Sequence, residues 1–275
     1  MATTKTAAST DATRRDTVLV TGASSGIGEA LARLAAADGH ALVLVARSAD
    51  KLAALADDLS ARHGTAVKVL PADLGQPGAA AALAAELKRR RITVDVLVNN
   101  AGVLENGPFV KTAPARHQAL IDLNISALTG LLAELLPGMV RRGHGRVLNV
   151  ASIAAFQPVP TLATYAATKA YVLSLTEALS EELSGTGVSI TALCPGITAT
   201  GMLTGASAAN PQLARLPRFV VGEVDRVARE GWRACQRGQV IVVPGVANLA
   251  ATLGARATPK WLLRKVSGAV TRRVG

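Results

Sequence analysis

The chain has 275 residues, 49% of them hydrophobic and 3% aromatic, with a formal charge of +11. This length suits one α/β domain whose sheet is buried between two helix layers, and the scarcity of rings leaves Ala, Val and Leu to fill the core. The charge would suit anionic partners, but Arg14-Arg15, Arg89-Arg90-Arg91, Arg141-Arg142 and Arg272-Arg273 are scattered at element ends without interleaved aromatics, which argues against a nucleic-acid reader.

Residues 1–14 are polar and lack the apolar centre of a signal peptide, so they are expected to be a disordered lead-in. Strand-like runs then follow at Thr17 to Val20, Ala41 to Ala46, Ala66 to Leu70, Val94 to Asn99, Gly145 to Val150, Ser189 to Cys194 and Val240 to Val243. Between them, 26–38, 49–63, 78–90, 114–141, 161–183 and 221–237 have helical period, with Ser48, Gly78 and Thr112 at or near helix starts. Strict alternation predicts right-handed crossovers and a single α/β domain over 15–252, doubly wound, with a seven-stranded parallel sheet flanked by helices. The segment 198–220, rich in Gly, Ala, Ser and Pro, follows the sixth strand and is expected to form a lid at the carboxyl edge.

No apolar run exceeds strand length in this reading, and Pro244, Gly245 and Asn248 break the stretch from Val240 to Leu253, so a cytoplasmic protein without a membrane span is expected. Cys194 and Cys235 read as buried fillers. His40, His63, His117 and His144 form no pair at metal-ligand spacing, so no metal is expected.

Thr21-Gly22-Ala23-Ser24-Ser25-Gly26-Ile27-Gly28 directly follows the first strand and opens a helix. Gly22 permits a tight turn, Gly26 lets backbone approach a phosphate, and Gly28 allows close packing, while the free N–H groups of the helix start favour an anion. Cofactor choice rests on the end of the second strand, where an acid would accept from a free ribose 2′-hydroxyl. Arg47 stands there instead, a planar cation suited to a 2′-phosphate, with Ser24, Ser25 and Ser48 as hydroxyl donors. NADP(H) is therefore expected over NAD(H).

Tyr165-Ala166-Ala167-Thr168-Lys169 lies in a helical segment, so the tyrosine and lysine share a face and one cation can act on one phenol. Carbonyl reduction needs such a proton donor as hydride arrives, and nearby positive charge lowers a phenol pKa from its usual value of about 10.

The TGxxxGxG spacing, Asn99-Asn100-Ala101-Gly102, Ala72-Asp73-Leu74, Pro195-Gly196 and the spacing of Ser152 from Tyr165 together make the chain resemble the short-chain dehydrogenase/reductase family over about residues 15 to 245. The resemblance implies a catalytic tetrad of Asn124, Ser152, Tyr165 and Lys169. Tyr165 would be the general acid in reduction, Ser152 would polarise the substrate oxygen, Lys169 would also bind the nicotinamide ribose, and Asn124 would support a water relay. Asp73, beside Leu74, would meet adenine; Asn100, Ala101 and Gly102 would flank the adenosine ribose; Ile197, Thr198 and Thr200 would hold the carboxamide after the Pro195-Gly196 turn.

Leu104, Phe156, Leu162, Met202, Leu203 and Phe219 are the substrate-pocket candidates, all apolar, which suggests a hydrophobic carbonyl or alcohol substrate. A ketone or aldehyde reductase, equivalently an alcohol dehydrogenase, is the leading expectation. A 3-oxoacyl or other lipidic 3-oxo reductase is the alternative, and a non-catalytic NADPH-binding regulator a distant one. The resemblance also implies a homodimer or homotetramer. Residues 253–275 hold six basic residues and no acid. An amphipathic helix is expected there, packing on the protein's own core or a neighbouring subunit in preference to an anionic membrane surface.

Overall fold

A computed structural model describes residues 15–198, 222–259, 261–265 and 268. The strands are β1 (Thr17–Thr21), β2 (Ala41–Ala46), β3 (Val67–Pro71), β4 (Val96–Asn99), β5 (Gly145–Val150), β6 (Val188–Leu193) and β7 (Ile241–Val242). All pair in parallel, in the order β3-β2-β1-β4-β5-β6-β7. The order reverses between β1 and β4, so their carboxyl ends diverge and open a crevice.

The helices are α1 (Gly26–Ala37), α2 (Ala49–His63), α3 (Ala79–Arg89), α4 (Pro114–Ile121), α5 (Leu128–Arg142), α6 (Ala163–Glu182), α7 (Val224–Gln236) and α8 (Val246–Ala257). Side chains alternate across each strand and so divide the core into two layers. Val18 and Val20 of β1 face α1, α2 and α7, with Leu31, Leu52 and Trp232 among the buried residues. Leu19, between them, faces α3, α5 and α6 with Leu83, Leu131 and Val172. Buried polar groups pair within the second layer: Asn99 Nδ2 donates to Asn149 Oδ1 at 3.0 Å, and Asn149 Nδ2 to Thr176 Oγ1 at 2.9 Å.

Three features depart from the sequence expectations. The helix expected over 114–141 contains a π-helical turn, Asp122–Ala127, between α4 and α5. Its wider turn lets the Asn124 amide take both backbone groups of Val103, and such turns gather at functional sites. The whole helical run Pro114–Arg142 is, by length and composition, long and apolar enough to cross a membrane, contrary to the expectation that apolar runs stop at strand length. Here Leu128, Leu131, Leu132, Leu136 and Met139 pack against the sheet.

The third is α8. Pro244 and Gly245 do not interrupt an apolar segment but precede a helix, with Gly245 as its N-cap at φ 87. The division expected between residues 252 and 253 falls inside this helix.

At the opposite end of the sheet, Asp16, Asp95 and His144 converge, a juxtaposition that spacing along the chain does not reveal. His144 Nε2 lies 3.0 Å from Asp16 Oδ1, Arg146 pairs with Asp16 at 3.2 Å, and Asp95 Oδ2 accepts from the Thr17 N–H. These contacts commit the carboxylates to tying β1, β4 and β5 together.

Candidate active site

The first βα turn is held to the end of β4 by one threonine and one asparagine. Thr21 Oγ1 accepts from the Asn100 and Ala101 N–H groups, both at 3.0 Å, and donates to the Val98 carbonyl. Asn100 Nδ2 in turn donates to the carbonyls of Thr21 and Gly22 at 3.0 and 3.2 Å. The loops on both sides of the crevice are thereby one unit.

Glycine is needed where these loops touch. Gly22 has φ +65, and a Cβ there would lie 2.7 Å from Asn100 Nδ2. A Cβ on Gly28 would press into the Gly22 carbonyl and the Asn100 amide, so Gly28 serves close packing and does not itself line the crevice.

The crevice encloses about 500 Å³. One end is bordered by Gly22, Ser24, Ser25, Gly26, Ile27, Arg47 and Ser48, beside the start of α1. Asp73 and Leu74 follow; the Asp73 carboxylate accepts from the Gly75 N–H at 3.1 Å and from Gln76 Nε2 at 3.3 Å. Asn100, Ala101 and Gly102 line the middle, and Pro195, Gly196, Ile197 and Thr198 lie beside the Ser152 loop, whose Ile153 N–H donates to the Pro195 carbonyl at 2.9 Å. Backbone N–H groups at a helix start, hydroxyls and a guanidinium at one end suit a phosphorylated dinucleotide.

At the other end stand Ser152, Tyr165 and Lys169. Ser152 leaves β5 in extended backbone, and its Oγ accepts from the Ala154 N–H at 3.1 Å. Tyr165 and Lys169 are one helical turn apart on α6, with the Lys169 ammonium 5.8 Å from the Tyr165 ring centroid. That ammonium donates to the Val150 carbonyl at 2.8 Å. Burial raises the Tyr165 pKa, and a hydrogen bond with Ser152 opposes the rise. Burial lowers Lys169 to about 8. Cys194, beneath this end, is pushed up to about 12 by burial and stays a thiol.

Asn124 is buried behind the crevice wall. Its Oδ1 accepts from the Val103 N–H and its Nδ2 donates to the Val103 carbonyl, both at 2.9 Å, with a further bond to Thr168 Oγ1 at 3.1 Å. The structure therefore brings the Ser152, Tyr165 and Lys169 side chains to the cavity and places Asn124 behind them.

Leu104 and Leu162 border the cavity near Tyr165. Phe156 is not among the described residues that line the cavity; it packs on the core and lies under the Arg256 guanidinium, 5.3 Å from the ring centroid. Thr200, Met202, Leu203, Phe219 and most of the expected lid lie outside the described residues. Val103, Leu123, Ile153, Gln157 and Val159 also line the cavity, and only their nearness to the motifs could have indicated them.

The comparisons with known proteins agree with this geometry. A family model described as short chain dehydrogenase matches residues 16–211. The ketoacyl reductase HetN of a Nostoc species is 37% identical over 211 residues, spanning 76% of this chain and 73% of that protein. Among solved structures, a short-chain dehydrogenase from Sphingobium yanoikuyae in complex with NADPH is 38% identical with a TM-score of 0.78, covering 88% of this chain and 93% of that one. A bulky-bulky ketone specific alcohol dehydrogenase from Comamonas testosteroni is 30% identical with a TM-score of 0.76, covering 89% and 93%. Fold, site geometry and these likenesses converge, and the chain belongs to the short-chain dehydrogenase family, as an oxidoreductase.

Proposed function

We propose that this protein reduces a hydrophobic ketone or aldehyde with NADPH and catalyses the reverse oxidation of the alcohol. The observation that carries the reading is the polarity of one crevice. Arg47 and three serines border its phosphate end, while Tyr165, Ser152 and Lys169 meet Leu104, Leu162 and Val159 at the other.

NADPH, when bound, supplies the hydride. The protein supplies the rest. Ser152 donates to the carbonyl oxygen and Tyr165 delivers the proton to that oxygen as the hydride arrives at carbon. The Lys169 cation favours the phenolate left behind and would hold the nicotinamide ribose when the cofactor is bound. Asn124, fixed by Val103, positions the helix for a water relay that returns a proton to the phenol. These dipoles are set before the reaction and need no reorganisation during it.

The preference for NADPH rests on Arg47 at the end of β2, and the presence of NADPH in the Sphingobium yanoikuyae structure supports it. The name of the Nostoc relative supports a second, narrower reading, that the carbonyl is a 3-oxoacyl group. Steady-state reduction of aliphatic, aryl and 3-oxoacyl substrates with each cofactor tests both readings. The expected result is higher kcat/KM with NADPH, and weaker NADPH use in Arg47→Asp, which exchanges attraction for repulsion. Equal efficiency with NADH would remove the phosphate role of Arg47.

A further inference from the structure

Helix α8 is amphipathic the wrong way round for a helix whose work is only to cover the core. Its inner face is small or polar: Asn248 reaches over the Pro195-Gly196 turn, where a Cβ on Gly196 would come within 2.5 Å of its amide, and Thr252 and Ala255 are buried. Arg256 continues that side, bonded to Glu177 at 3.0 Å and stacked over Phe156 in the turn after Ser152.

The outer face carries the large apolar residues. Val246, Leu249 and Leu253 recur at helical spacing and are 81%, 44% and 57% exposed. Beyond Pro259, residues 261–265 are again helical, and Trp261 and Leu262 are exposed too. Arg264 and Lys265 follow in the same turn. From Val246 to Gly275 the sequence contains Arg256, Lys260, Arg264, Lys265, Arg272 and Arg273 and no Asp or Glu.

We propose that this face of α8, together with residues 261–265, docks the protein on an anionic lipid surface, with α8 lying in the interface plane. An exposed apolar stripe followed by Trp261, Leu262, Arg264 and Lys265 is what such a surface recognises, through burial among the acyl chains and attraction to the headgroups. The twelve residues of α8 are about 18 Å long, too short to span a bilayer and long enough to lie on one. A second copy of the chain fits less well, because a two-fold contact pairs a patch with itself and would set acid-free basic segments against each other. The inner face keeps its contacts with the Ser152 and Pro195-Gly196 loops, so docking leaves the helix in place. The proposal stands independently of the substrate reading above.

Co-sedimentation of the full chain with vesicles of phosphatidylcholine alone, and of phosphatidylcholine mixed with phosphatidylglycerol, tests it. The full chain should pellet with the mixed vesicles, remain in solution with phosphatidylcholine alone, and be released as salt is raised. Leu249→Ser/Leu253→Ser and Arg264→Glu/Lys265→Glu should each bind the mixed vesicles at least about tenfold more weakly, with unchanged thermal unfolding and unchanged mass by sedimentation velocity. Failure of the full chain to bind, or variants that bind as well as it does, would overturn the proposal. A change of assembly mass in Leu249→Ser/Leu253→Ser would also overturn it and assign the face to a second copy.

Discussion

The Lys169 ammonium and the Val150 carbonyl are joined by a 2.8 Å hydrogen bond that ties the helix carrying Tyr165 to the strand leading into Ser152. The same buried cation stands 5.8 Å from the Tyr165 ring. Its charge state should therefore govern both the geometry and the chemistry.

Burial lowers Lys169 to about 8, so its proton is lost as pH rises through that value, while Tyr165, raised by burial, keeps its own. We expect kcat/KM for carbonyl reduction to fall as pH rises through about 8. The stability effect has the opposite sign. The unfolded lysine, with its ordinary value of 10.5, holds more protons than the folded one between pH 8 and 10.5, so this residue's contribution to stability improves as pH rises across that window. Lys169→Met should abolish both effects, read from pH–rate profiles and from denaturation midpoints compared with the unsubstituted chain.

Gly28→Ala tests the close contact of the first turn with the β4 loop. The added methyl meets the Gly22 carbonyl and the Asn100 amide, so the turn must shift. Overpacking of this kind costs about 1–3 kcal/mol. The expected outcome is a lower unfolding midpoint together with weakened NADPH binding by fluorescence titration. Unchanged binding would detach Gly28 from the cofactor loop.

Asn124→Ala should cost more than a typical polar truncation. It leaves the part-buried Val103 N–H and carbonyl without this amide, at about 1–3 kcal/mol for each group left unsatisfied, while Thr168 Oγ1 keeps its bond to the Tyr165 carbonyl. Urea unfolding should show a loss of about 3 kcal/mol, and turnover should fall with it. A neutral substitution would mean that the π turn is held by its backbone alone.

Much of this architecture is legible in the sequence because strand and helix follow one another with clear punctuation. The expected strands coincide with the observed ones to within two residues at each end, and the S-x12-YxxxK spacing places Ser152, Tyr165 and Lys169 at the same cavity. What escapes has a common cause, since it depends on contacts distant along the chain. The period of 114–141 says helix, but the π turn accompanies the pairing of Asn124 with Val103. Phe156 has the composition of a pocket residue, but Arg256, a hundred positions later, covers it. Pro244 and Gly245 read as breakers, although the same residues also stand where a helix begins, as they do before α8.

The most direct test of the account is Tyr165→Phe, measured for NADPH binding by fluorescence titration and for single-turnover reduction of a hydrophobic ketone. Tyr165 is 8% exposed, and the change keeps its ring while removing only the hydroxyl. The account predicts near-normal folding and NADPH affinity with turnover lowered about 10²- to 10⁴-fold, the loss expected when a general acid is removed. Turnover within a few-fold of the unsubstituted protein would contradict it, because the proton would then have to come from a group other than the one this crevice presents.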